Sequence, residues 1–182
     1  MWKKLLLSAL ALGFAALANT QLCCSLAVEG QALAGLYAPW DADRASTAAA
    51  AAAEEIVAGH AQVPPLRRRY CLRLRPPDRT VPEASAALLD ATTGVERSEG
   101  VYISGVYLGS VQSQETLLSS LRQFIQGQLP SWASTGYLSQ ELQTRPQYGR
   151  TGSQTPVEDM VLLVSGMAPV MYSDGQGHVA RA

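Results

Sequence analysis

The segment GMAPVMYSDG, residues 166–175, carries three signals about the fold. An X-Pro bond adopts the cis form at a cost of only about 0.5–1 kcal/mol, so a cis Ala168-Pro169 bond would expose backbone groups beside a ligand or a partner. The residues from Pro169 to Tyr172 then form a strand, and Asp174-Gly175 predicts a hairpin turn into a returning strand at residues 178–180.

The residues just before this segment predict a helix. Thr155-Pro156-Val157-Glu158 combines a capping box with proline at a favoured first helical position. We expect a short helix that runs into Ser165-Gly166. Further upstream, Trp132 to Leu142 is predicted as another short helix, and Thr144 to Gln154 as a loop.

Two strand and helix pairs precede that loop. Leucines and other apolar residues at three- and four-residue spacing predict an amphipathic helix from Ser110 to Leu129, after a strand over Val101 to Leu108. A capping box formed by Thr80 and Glu83 predicts a helix from Val81 to Ala91. The chain therefore alternates strand, helix, strand and helix before its carboxyl-terminal hairpin.

The first strand of this series has a clear period of two. Tyr70, Leu72 and Leu74 alternate with Cys71, Arg73 and Arg75, which predicts that the apolar set is buried and that the other set faces solvent. Six arginines lie close together here, and they could meet phosphate, lipid headgroups or an acidic partner; the alternative is a solvated strand and linker. The candidate patch consists of Arg67, Arg68, Arg69, Arg73 and Arg75, with Arg79 nearby.

The amino-terminal residues, MWKKLLLSALALGFAALA, predict a signal peptide over residues 1–18. Lys3 and Lys4 precede an apolar run, and Ala16-Leu17-Ala18 is a small-x-small cleavage site. A membrane anchor is the alternative, but a spanning helix needs about 20 apolar residues, more than this run provides. The Ala-rich, Asn-poor composition, with arginine in place of lysine, suggests a bacterial source. We therefore expect a periplasmic or secreted protein.

The residues between this leader and the arginines form a separate predicted segment, residues 19–66. Residues 19–39 are predicted to be irregular or loosely helical. A helix from Arg44 to Ala58, capped by Asp41 or Asp43, contains the run Ala48 to Ala53 and is predicted as an outer spacer helix. A proline-containing linker follows it.

The order of elements over residues 67–182 is similar to that of the thioredoxin fold. The segment from Gly166 to Gly175 resembles the stretch where thioredoxin-like proteins place a cis-proline before their third core strand, so the resemblance implies that Pro169 is cis. The predicted class is α/β, a truncated thioredoxin-like three-layer domain with an N-terminal Ala-rich helix, since no residues remain for the final helix. Redox members of that fold carry a cysteine pair where this chain has Pro76 to Pro82. Because neither cysteine is present here, thiol chemistry of that kind is excluded.

Within that fold, the chain resembles the exported, cysteine-free TrbC-type proteins of conjugative pilus assembly. The resemblance rests on the stretch Val81 to Leu89, the strand from Val101, the helix from Glu115 to Ile125 and Pro169, although Ala168 replaces the valine that often precedes this proline. It implies a non-catalytic assembly component with an envelope protein partner and no cofactor. The alternatives are a secreted hydrolase or transferase with an unrecognised site, and a pilotin-like envelope chaperone of unrelated α+β fold.

The cysteines and histidines limit the chemistry further. An oxidising compartment would allow one bridge from Cys23 or Cys24 to Cys71, with one thiol left over; the alternative is that all three are small buried apolar residues. His60 and His178 belong to no catalytic or metal-binding motif, so no catalytic or metal residue is predicted. Removal of the leader leaves 12 arginines against 15 acidic residues, and this net negative charge disfavours nucleic acid as a partner.

Overall fold

The computed structural model describes residues 20–59 and 61–181. The predicted signal peptide and His60 lie outside the described residues. The chain divides into two compact units, one up to Val95 and one from Glu96 onward. None of the described helices is both long and apolar enough to cross a membrane.

Within residues 20–59 and 61–95, the first unit is a three-stranded sheet with two helices. Its strands lie in the order β2-β1-β3, and both pairings are antiparallel. Residues 21–28, which were predicted to be irregular or loosely helical, form the central strand, and apolar side chains on one face of that strand enter the core. The elements are β1 (Gln21–Val28), β2 (Gln31–Ala32), α1 (Pro39–Val57), β3 (Leu66–Arg73) and α2 (Val81–Asp90).

The predicted spacer helix, α1, is an inner element of this unit. Ala42, Ala45, Ala49 and Ala53 repeat at three- and four-residue spacing, and each of them is fully buried. Small side chains let α2 approach closely, and the Ser85 hydroxyl donates to the Ala45 carbonyl at 3.2 Å. The prediction of an outer helix was wrong because alanine carries little apolar surface by itself, whereas a continuous alanine stripe lets two helices pack closely.

The start of α2 confirms the predicted capping box. The Thr80 backbone N–H donates to the Glu83 carboxylate at 2.8 Å, and Arg79 forms an ion pair with the same carboxylate at 2.7 Å. The backbone bond, followed by the bond from Arg79, lowers the pKa of Glu83. Because β3 and α2 pack with α1 and β1, the first unit runs to Val95, and the domain boundary predicted after residue 66 does not match the compact units.

The second unit contains two small sheets and two helices. One sheet has the strand order β5-β4-β7 and the other has β6-β8-β9. Its core is formed by side chains of β4, β5, α3 and α4, among them Val101, Leu117 and Val164. The elements are β4 (Val95–Ile103), β5 (Val106–Val111), α3 (Gln114–Gly127), β6 (Thr135–Leu138), β7 (Leu142–Arg150), α4 (Val157–Met167), β8 (Val170–Ser173) and β9 (Val179–Arg181).

Three predicted elements of the second unit were wrong. The single strand predicted over residues 101–108 is a hairpin, and Ser104 and Gly105, with φ of 47° and 84°, form its turn. The predicted helix over residues 132–142 contains strand β6, and most of the predicted loop over residues 144–154 is strand β7. β7 is largely polar, and hydrogen bonding to β4 determines its conformation more than its own composition does.

The carboxyl-terminal helix and hairpin were predicted correctly, but the proline was not. The described residues contain no cis peptide bond, so Pro169 is trans. Ala168, which precedes it, has left the helical region with φ of −122° and ψ of 84°, and Pro169 thus ends α4. β8 pairs with β6 and β9, while β3 pairs with β1. The structure confirms a mixed α/β class and does not confirm a thioredoxin-like arrangement.

Candidate partner-binding surface

Strand β3 forms one edge of the sheet in the first unit. On the side away from β3, the N–H and C=O groups of Cys24 bond to Tyr37 at 2.8 and 2.9 Å. Because hydrogen bonding alternates along an antiparallel strand, Cys23 and its partner Cys71 form a hydrogen-bonded pair. The backbone groups of Arg68, Tyr70 and Leu72 therefore point outward, and no strand in the described part of the chain pairs with them.

Three arginines form a row on one face of this edge strand. Arg67, Arg69 and Arg73 share the face of Cys71, and all three are exposed. Neither ion pair that the structure shows within residues 20–59 and 61–181 includes any of them. We call these three residues the arginine strip.

The other two arginines of the predicted patch lie elsewhere. Arg68 is on the opposite face of β3 and contacts Asp43 of α1 at 2.6 Å. This hydrogen bond raises the pKa of the Arg68 guanidinium. Arg75 lies beyond the end of the strand, where its backbone carbonyl is 3.9 Å from the Cys23 Sγ atom. The continuous patch is therefore smaller than the sequence suggested, because alternate residues of a strand face opposite sides.

The face of β3 opposite the arginine strip is apolar at its carboxyl-terminal end. Tyr70, Leu72 and Leu74, which were predicted to be buried, are 55%, 63% and 69% exposed. The helices cover only the other end of β3, where Leu66 packs against the core. Beyond the strand, a groove of about 820 Å³ continues along Leu72, Leu74 and Pro77. An exposed apolar group of this kind beside an unpaired strand edge is typical of an interaction surface.

The three cysteines lie on two faces of this sheet, and none of them forms a disulfide in the structure. Cys23 and Cys71 are directly opposite each other on neighbouring strands, on the face of the arginine strip. Cys24 lies on the other face, in the core, where its thiol is 3.8 Å from the Ala38 carbonyl. Burial raises the pKa of the Cys24 thiol.

The described histidine, His178, lies in the second unit. His178 packs edge-on against Trp132, with ring centroids 4.6 Å apart. Within residues 20–59 and 61–181, no group of three His, Cys, Asp or Glu side chains is placed to hold a metal ion.

The comparisons with protein-family models, curated proteins and solved structures found no match to this chain. The exposed edge of β3 is therefore the candidate functional surface of this chain. The arginines of β3 are evident in the sequence, but the exposure of Tyr70 and Leu72 was not predicted from it. The signal was present in Arg67, Arg68 and Arg69, since three consecutive charged residues place a charge on both faces of a strand and make full burial of either face costly.

Proposed function

We propose that this chain is an exported, non-catalytic interaction component of a bacterial envelope machine, such as a conjugation, pilus-assembly or secretion apparatus. Export is supported by the leader pattern of residues 1–18, and the conjugative setting by the resemblance to TrbC-type, thioredoxin-like proteins. That resemblance rests on the sequence pattern alone. The binding function is supported by the exposed edge strand β3 and its arginine strip.

The partner that fits this surface is an extended segment that adds to the sheet as a further strand. The outward backbone groups of Arg68, Tyr70 and Leu72 would bond to the main chain of such a segment. The residues of the arginine strip share one face because they are two and four positions apart. Two positions along a strand span about 6.6 Å. A partner strand with Asp or Glu at alternate positions would therefore place carboxylates beside these guanidinium groups.

The other face of β3 restricts the partner further. Tyr70 and Leu72 would contact the side chains that lie between the acidic ones, because successive side chains of a strand point to opposite faces. The surface thus selects alternating acidic and apolar residues. A uniformly acidic segment would leave Tyr70 and Leu72 without an apolar contact.

A synthetic peptide of alternating Glu and Val tests this binding mode by fluorescence anisotropy. We expect the triple variant Arg67→Gln, Arg69→Gln, Arg73→Gln to bind it about three- to a hundredfold more weakly, since three exposed ion pairs contribute roughly 0.2–1 kcal/mol each. The matched control is Arg44→Gln, Arg122→Gln, Arg181→Gln, which removes the same charge from exposed positions elsewhere and should leave the affinity unchanged.

Further probes separate strand addition from simple charge attraction. An alternating Lys and Val peptide should not bind, and a Glu and Val peptide with a central proline should bind weakly because proline removes a backbone donor. Equal loss in the two triple variants would overturn the assignment to β3. Binding of phosphatidylglycerol vesicles through Arg67, Arg69 and Arg73, without binding of the peptide, would overturn the protein partner in favour of a membrane surface.

Export is tested separately by the mature amino terminus. We expect the full chain, expressed in a Gram-negative host, to be recovered from the periplasmic fraction with Asn19 as its first residue, because cleavage is predicted after Ala18. Amino-terminal sequencing of the fractionated protein measures this. Recovery from the cytoplasm with an intact leader would contradict the proposal.

A further inference from the structure

Cys23 and Cys71 place two free thiols opposite each other on one face of the sheet in the first unit. The two residues are register partners in the antiparallel pairing of β1 and β3. A hydrogen-bonded pair of this type has Cα atoms about 5.5 Å apart, within the range of about 4.4–6.8 Å found for disulfides. Their side chains also point to the same face of the sheet.

The two thiols differ in their exposure to solvent, and this difference determines which of them reacts first. Cys71 is half-buried, and its neighbours on the same face, Arg69 and Arg73, are exposed cations. Cys23 is fully buried beside it, near the Arg75 carbonyl. An anionic disulfide approaching from solvent therefore meets Cys71 first, and Cys23 can then react only with a group already attached to Cys71.

Cys24 cannot take the place of Cys23. It follows Cys23 directly in the strand, so its side chain points to the other face, into the core with Leu26 and Tyr37. Its partner across β1 and β3 is Tyr70. The raised pKa of its buried thiol also keeps it protonated.

We propose that Cys23 and Cys71 form a disulfide by exchange with a small anionic disulfide such as glutathione disulfide, and that Cys24 stays a thiol. The Cys71 sulfur attacks one sulfur of glutathione disulfide, forms a mixed disulfide and releases one glutathione. The Cys23 sulfur then attacks the Cys71 sulfur and releases the second glutathione. Two protein thiols are oxidised, one glutathione disulfide is reduced to two thiols, and the two thiol protons pass to the released glutathione molecules.

Intact mass spectrometry after exchange and alkylation of the unfolded chain tests the pairing. The experiment uses the full chain with all three cysteines reduced at the start. For the unsubstituted protein and for Cys24→Ser, we expect an intramolecular disulfide. Cys23→Ser should stop at one glutathionyl adduct, and Cys71→Ser should remain reduced.

Variants of the neighbouring residues Cys23 and Cys24 show which of the two pairs with Cys71. Cys23→Ala repeats the test with a smaller apolar side chain, and circular dichroism shows which variants are folded. An internal disulfide in folded Cys23→Ser or Cys23→Ala, which would join Cys24 to Cys71, would overturn the assignment, and so would loss of the disulfide in folded Cys24→Ser.

The rate of disulfide exchange tests the role of the flanking residues Arg69 and Arg73. We expect Arg69→Gln, Arg73→Gln to slow exchange with glutathione disulfide several-fold and to leave the rate with uncharged hydroxyethyl disulfide unchanged, because only the former is attracted by positive charge. Equal slowing with both reagents would show that charge does not guide the oxidant. This inference does not depend on the proposed partner, since it concerns only bonds within the first unit.

Discussion

Replacing Ala49 by glutamate is expected to destabilise the first unit by about 3–5 kcal/mol, the scale of an uncompensated buried charge. Ala49 is fully buried in the alanine stripe of α1, which packs against α2. A glutamate side chain has no space there and no partner for its charge. Because domains of this size are stable by only about 5–15 kcal/mol, a loss of this size removes much of the total.

The neighbouring residue supplies a matched control. Ala50 is exposed on the same helix, and Ala50→Glu is expected to change the free energy of unfolding by no more than about 0.5 kcal/mol. Urea denaturation followed by circular dichroism measures both variants. Equal stability of the two would contradict the buried position of α1 and would favour the outer helix that the sequence suggests.

An uncharged substitution at the same position separates lack of space from lack of a partner for the charge. Ala49→Leu adds only apolar volume, and we expect it to cost about 1–3 kcal/mol because α2 must move to accommodate it. A stabilising effect of leucine would show that α1 and α2 are not closely packed at this point.

The elements that the sequence predicted correctly carry strong local signals. Thr80 and Glu83 form a capping box whose bonds lie within four residues, and the turn at Asp174-Gly175 is stabilised by the Asp174 carboxylate, which accepts from the backbone N–H of Gln176 at 2.7 Å. Helices α1 and α4 follow from propensity, but their predicted caps were wrong, because Ala38 and Pro156 occupy the N-cap positions and neither side chain accepts a hydrogen bond. Such features need no knowledge of distant parts of the chain.

The elements that the sequence did not predict depend on distant partners. β1 is a central strand because β2 and β3 bond to it from both sides, and β7 is a strand because it pairs with β4. The candidate binding surface on β3 was likewise predictable only in the features that do not depend on distant parts of the chain. The arginines are evident in the sequence, but the separation of Arg68 from the arginine strip and the exposure of Leu72 follow from how far the helices extend over β3.

Replacing Leu117 by alanine is expected to destabilise the second unit by about 2–5 kcal/mol, the usual cost of a cavity at a buried leucine. Leu117 is fully buried on α3 and belongs to the core that includes Val101 and Val164. The control is Leu162→Ala on α4, where the leucine is 60% exposed and its removal should cost no more than about 0.5 kcal/mol. Urea denaturation of both variants measures the difference.

The same variant also tests where the partner binds. The arginine strip and the apolar face of β3 lie wholly in the first unit, so the affinity of folded Leu117→Ala for the alternating Glu and Val peptide should stay within about twofold of the unsubstituted protein. Folded Ala49→Leu alters the packing of α1, which also holds Arg68 through Asp43, and should weaken this binding more. If Leu117→Ala instead weakened binding as strongly as loss of the arginine strip, the edge of β3 could not be the whole binding surface.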